Sequence, residues 1–246
     1  MTDRNGYYIQ ASWEARAEAP DELAARFLHL IDSLKQIDPV FSLWTCGAKR
    51  PKKFETVRDH YAQEIAAGVT TDDWGEPEPF DGYWFGAITR DTPKNRSFAI
   101  RCRAGSTVQR PFTNFMTFTT SSLASPDLDL ISYRLFRSVV LAIVEAWDPV
   151  RAAAYSDELN AVTGSKLLFR EAWIQYLCPW LARKIIPPSS AFVEHLPTGG
   201  LLMSATTETF KVDNPNHLAA ARDMAAAMEP LNRLPWPSEN LQRISP

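Results

Sequence analysis

Four histidines, three cysteines and eight lysines are the residues with which this chain could do chemistry, and their spacing assembles none of the familiar catalytic sites. His29, His60, His195 and His217 form no H-E-x-x-H pair and no other metal-ligand spacing, so no metal site is expected. His60 and Glu64 stand four apart on one expected helix face, a pairing met mainly as a solvated contact. His217 falls in the first turn of a helix, where a local hydrogen bond is its expected role. Cys46, Cys102 and Cys178 are far apart, odd in number and without a C-x-x-C; they read as reduced, buried thiols. No G-x-S-x-G elbow, phosphate loop or dinucleotide fingerprint occurs, and no cofactor is expected. Restriction-type nuclease chemistry needs an acid two residues before a lysine to hold a metal beside the phosphate, and none of the lysines has one. The expectation is a protein with no catalytic residues that is not an enzyme. The enzymatic alternative is a carboxylate-based site using acids such as Glu171 or Glu208 in a cleft.

The charge pattern is more informative than the nucleophiles. The net charge is −3, yet residues 68–81 hold five acids and no base, and residues 82–137 hold eight bases against three acids. The acidic stretch contains Asp72, Asp73, Glu76, Glu78 and Asp81, with Trp74, Phe80, two glycines and two prolines. That composition reads as a long loop. It is either a solvated excursion or a contact for a basic partner, and a tryptophan among acids favours the second, because aromatic anchors dominate interface energetics. The candidate partner-binding residues are therefore Asp72, Asp73, Trp74, Glu76, Glu78, Phe80 and Asp81. The basic run 49–53 has no interleaved aromatics on which bases would stack, and reads as a solvated loop.

Several elements must position these segments. A strand is expected over Gly6–Trp13, an amphipathic helix over Pro20–Ile37, a short strand over Val40–Cys46 and a helix over Phe54–Ala67. Three strands, about 82–90, 97–103 and 112–120, form an antiparallel meander. Alternation puts Phe98, Ile100 and Cys102 on one face and Arg101 and Arg103 on the other. The most apolar helix follows over Ser125–Trp147, with Ser125 as N-cap, Pro126 at its first position and Leu128 on its apolar stripe. Beyond Pro149 the expected elements are a strand over 170–177, a short helix over 180–186, strands over 191–196 and 201–210, and a helix over Pro215–Leu231. The class is α+β, a largely antiparallel sheet against helices. One domain over 1–234 is expected, with a loosely held tail over 235–246.

With 45% hydrophobic residues in 246, the chain has ample material for a sizeable core, and the thirteen Phe and eight Trp serve mostly there. Its acidic balance (pI near 5.9) argues against a general nucleic-acid binder. No apolar run opens the chain and none reaches 18 residues, so a cytoplasmic protein is expected.

One set of residues is similar to a known family. Tyr8-x4-Trp13-x2-Arg16 opens the chain, and Ile37-Asp38-Pro39-x-Phe41-x2-Trp44 closes the first long helix. Near the other end stand Trp173-x2-Tyr176-Leu177, then Gly199-Gly200 leading to Thr207-Glu208-x-Phe210, and Asn214-Pro215-x-His217. Together they resemble the immunity protein 52 family of bacterial polymorphic toxin systems. The resemblance touches both ends but not residues 48–81. It implies a cytoplasmic antitoxin that binds a cognate toxin, a restriction-endonuclease-like nuclease delivered by a type VI or related secretion system. A non-catalytic adaptor of a secretion apparatus is the remaining alternative.

Overall fold

The computed structural model describes residues 6–47, 51–109, 112–120 and 125–236. In chain order the elements are β1 (Tyr7–Trp13), α1 (Pro20–Ile37), β2 (Trp44–Cys46), β3 (Lys52–Lys53), α2 (Phe54–Val57), α3 (Tyr61–Ala66), β4 (Tyr83–Thr89), β5 (Phe98–Ala104) and β6 (Asn114–Thr120). Then come α4 (Tyr133–Trp147), β7 (Arg151–Ser156), α5 (Asp157–Thr163), β8 (Ile174–Leu177), α6 (Pro179–Ala182), β9 (Phe192–His195), β10 (Leu201–Ser204) and α7 (Pro215–Asn232). The strands form one antiparallel sheet in the order β3-β2-β4-β5-β6-β1-β7-β8-β10-β9. The protein is α+β, and the meander β4-β5-β6 is its consecutive core.

Period-two alternation decides what each face does. Tyr7, Ile9, Ala11 and Trp13 of β1 are in register with Phe118 and Met116 of β6 and with Ala154 and Ala152 of β7. Phe98, Ile100 and Cys102 continue this buried face, against which α1 and α4 pack. Helix α1 begins as expected: Pro20 takes the first position and the Glu22 carboxylate accepts the Ala19 N–H at 2.8 Å.

The helix expected over 125–147 is eight residues shorter. Ser132, not Ser125, is its N-cap, its Oγ accepting the Leu135 N–H at 3.2 Å. Upstream, the Asp127 N–H donates to the Asn95 carbonyl and the Asp127 carboxylate pairs with Arg96, so tertiary bonds hold this backbone out of a helix. Leu128, placed on the apolar stripe by periodicity, is 61% exposed. The helix expected over 54–67 is divided into α2, a 3-10 turn at Arg58–His60, and α3; Arg58 is held there by a bidentate bond to Asp32 of α1. Pro39–Phe41 form a 3-10 turn, and the strand expected from Val40 begins only at Trp44.

Two elements that the sequence did not announce lie mid-chain. Strand β7 reads Arg-Ala-Ala-Ala-Tyr-Ser and is buried along its whole length between β1 and β8. Helix α5 follows at once, capped by Ser156. On the second face of the sheet, Arg151 of β7 lies under Phe112 and Phe169, and Trp236 packs on Phe112, Phe169 and Trp180. Asn232, at the end of α7, exchanges hydrogen bonds with the Phe169 backbone. Pro235 and Trp236 thus begin the expected tail on the body of the fold, while 237–246, like 48–50 of the basic run, lie outside the described residues. Among the described residues no helix is long and apolar enough to cross a membrane.

Candidate functional site

The acidic segment is a closed excursion from the edge of β4. Its start is fixed where the Trp84 N–H donates to the Gly68 carbonyl at 2.7 Å, and bridges join Val69 to Tyr83 and Thr71 to Pro77. A Cβ on Gly68 would come within 2.0 Å of the Trp84 carbonyl oxygen, so only glycine lets the loop leave the sheet here. At the tip, the Asp72 carboxylate accepts the Trp74 and Glu76 N–H groups at 2.9 and 2.8 Å, and Gly75 turns the chain with φ of +89°. Trp74 stands on that tip, 87% exposed, and Phe80 is 56% exposed near the base. The hydrogen bonds fix the backbone of the turn and leave the Trp74 ring open to water.

The seven candidate residues are brought together in this excursion but are not equivalent. The Asp72 carboxylate is committed to the turn, and Asp81 pairs with Arg103 of β5. Asp73 and Glu76 are exposed and Glu78 is half-buried. The Phe80 carbonyl accepts the Thr107 N–H, which ties the base of the loop to the end of β5.

The loop adjoins a second feature. On the outward face of β4, β5, β6 and β1, Trp84, Arg103, Phe115 and Ser12 lie in one register row, and Gly86, Arg101, Thr117 and Gln10 in the next. The Trp84 and Phe115 rings meet edge to face at 5.5 Å, and the Arg101 guanidinium lies 4.3 Å over the Trp84 ring. Alternation already set Arg101 and Arg103 outward; that Trp84 and Phe115 join them depends on strand register, which the sequence leaves open.

Of the carboxylates considered for catalysis, Glu208 has neighbours among the described residues that are engaged in other bonds. Glu208 lines a cleft of about 480 Å³ with His217, Ser190 and Asp223. His217 Nδ1 accepts the Lys211 N–H at 3.2 Å and Nε2 lies 3.5 Å from Glu208, while Ser190 donates to Asp223. The local bond expected for His217 is there. Among the described residues no group of histidines, cysteines and acids could hold a metal ion. The three cysteines are buried and unbridged. Burial, the main cause, with Glu64 adding to it, pushes the Cys46 thiol up to about 11, the reverse of what a nucleophile needs.

The model of the Immunity protein 52 family matches residues 5–232. This chain is a member of that family. The resemblance noted from the sequence is thereby borne out over nearly the whole length, and an immunity role with a cognate toxin follows from it. A solved structure, the Pseudomonas aeruginosa T6SS protein PA0821, is similar at a TM-score of 0.47 and 10% identity, over 89% of this chain and 73% of that one. No curated protein matches.

For this Immunity protein 52 member, the aromatic residues that carried the resemblance are mostly framework, while Thr207 and Glu208 of the same set are exposed. Trp13 stacks on Trp147 at 5.2 Å, and Arg16 donates to the Trp147 carbonyl at 3.2 Å, so the opening motif grips the end of α4. Trp44 Nε1 donates to the Phe41 carbonyl, and Trp173 Nε1 to that of Thr206. The Tyr7 hydroxyl donates to the Phe210 carbonyl, and Asn214 caps α7. Partner contacts must be sought elsewhere on the surface.

Proposed function

We propose that this immunity protein binds and neutralises a secreted nuclease toxin of restriction-endonuclease type in the cytoplasm, by occupation and not by catalysis, and that loop 69–81 is part of the contact. The toxin would travel by a type VI or related secretion system. What carries the reading is Trp74, fully offered to solvent at the tip of a braced acidic turn in a chain whose family match is to immunity proteins. A nuclease presents a positive groove to DNA, so an acidic excursion is drawn into it and an aromatic anchor holds it there.

The test is surface plasmon resonance with the inactivated product of the neighbouring reading frame, at two ionic strengths. Trp74→Ala should speed dissociation at least about tenfold, a loss of about 1.4 kcal/mol. Asp73→Asn with Glu76→Asn should mainly slow association and flatten its salt dependence. Unchanged kinetics in both would move the interface off the loop, and no binding by the wild type would end the immunity reading. Metal-dependent DNA cleavage by the purified chain, lost on a point mutation, would overturn its non-catalytic part.

A further inference from the structure

The loop is acidic, but the sheet face beside it has the opposite character. Trp84, Arg101, Arg103, Phe115 and Thr117 project from the outward side of β4, β5 and β6, and no position on that side of these strands or of β1 carries a carboxylate. The same side of the sheet is covered at β7 by Phe112, Phe169 and Trp236, and buried Arg151 and Tyr155 mark where that cover lies. Over β4–β6 it is uncovered among the described residues: Arg101 and Ile88 are exposed and Trp84, Phe115, Thr117 and Thr119 half-buried.

Two arginines share this face and differ in state. Arg103 is neutralised by Asp81, whose carboxylate and backbone carbonyl both accept from it. Arg101 makes no ion pair among the described residues; its guanidinium carbon lies 4.3 Å from the centroid of the Trp84 ring, which in turn is braced by Phe115. A guanidinium held against a tryptophan face with no carboxylate partner still has donors to offer a bidentate acceptor. It also loses little side-chain freedom when a partner arrives, because the ring already fixes it.

The geometry points to this open face as a second docking surface for the toxin, in which Arg101 receives a carboxylate of the partner and Trp84 with Phe115 takes an adjoining apolar side chain. The inference rests on the immunity reading. It commits to an acidic protein surface because the unneutralised charge of the face is positive. A nucleic acid also stacks and carries negative charge, but loop 72–78, which leaves the sheet beside Trp84, sets its acids next to the path a phosphate backbone would follow. A folded partner can present a carboxylate to Arg101 and a basic group to the loop at once; a uniform polyanion cannot.

Surface plasmon resonance against the inactivated product of the neighbouring reading frame separates the cases. Arg101→Glu, at an exposed position, should weaken binding at least about thirtyfold, and Trp84→Ala at least about tenfold. Arg134→Glu, exposed on α4 across the sheet, makes the same charge change and should stay within about twofold. Thermal melts of each variant check that the fold is kept, and if Trp84→Ala melts early the outcome is read from Arg101→Glu alone. Wild type that binds while Arg101→Glu binds equally well overturns this inference and leaves the immunity reading intact. A wild type that ignores the toxin removes both. Binding of a 20-nucleotide thymidine strand that is lost in Trp84→Ala would make the face a nucleic-acid platform and overturn the acidic-protein assignment.

Discussion

Arg16, Glu18 and Arg26 show how a few charged side chains finish a helix. Arg16 and Arg26 donate to the carbonyls of Trp147 and Ala146, the last of α4, and both arginines meet on the buried Glu18 carboxylate. Cations at a helix C-terminus satisfy its orphan carbonyls and its dipole. Glu18→Ala would leave two cations facing each other at a partly dry site and should cost about 3 kcal/mol by urea denaturation, the lower end for breaking a buried pair because both arginines are partly exposed. Thiols report burial in another way. Cys102 is raised well above its ordinary range by complete burial and Cys46 to about 11. Both stay protonated in the native state, while in the unfolded chain thiols ionise near 8.5–9. The contribution of Cys46 is therefore whole below about pH 9 and is lost as pH climbs through about 11. The denaturation midpoint should fall over that window, and Cys46→Ala should flatten the fall; an unchanged slope would refute the assignment.

At the scale of elements, local signals are trustworthy where tertiary bonds do not compete with them. Helix α1 runs over its expected residues because Pro20, Glu22 and an apolar stripe all agree. For α4 the local signals at Ser125-Pro126-Asp127 were as good, but Asp127 is claimed by Arg96 and Asn95. Ser132→Ala should therefore cost about 1 kcal/mol, the usual value of a cap, and Ser125→Ala less than about 0.5 kcal/mol. Equal losses in thermal melts would restore the longer helix. Strand β7 escaped notice because three alanines carry neither alternation nor β-branching. A strand buried on both faces does not alternate.

The whole molecule is drawn together by its first strand. β1 lies between β6 and β7, so the meander and the C-terminal strands share one sheet only through Tyr7–Trp13. Trp13 on Trp147 and Tyr7 against Phe136 and Trp173 continue that junction into the helices. Neither half completes its ladder or its core without β1, so unfolding followed by tryptophan fluorescence and by far-ultraviolet circular dichroism should give coincident transitions. Two separated transitions would mean that the halves are independent. Ile9→Asp, a charge at the centre of the junction, should abolish the folded state.

What the sequence determined by itself was whatever short-range periodicity and composition encode: the α+β class, the meander, α1, the extent of α7, the buried thiols and the acidic excursion that carries Trp74. Even the family likeness was legible there, because its motifs are anchored by core aromatics whose types the packing demands, such as Trp13, Trp44 and Trp173. Only tertiary structure decided where α4 starts, that the alanines of β7 are central, and that Arg101, Trp84 and Phe115 meet on one uncovered face. The physical reason is register and competition. A strand pairing one residue out would send each of those side chains to the opposite face, and a distant partner can outcompete a local helix for the same backbone.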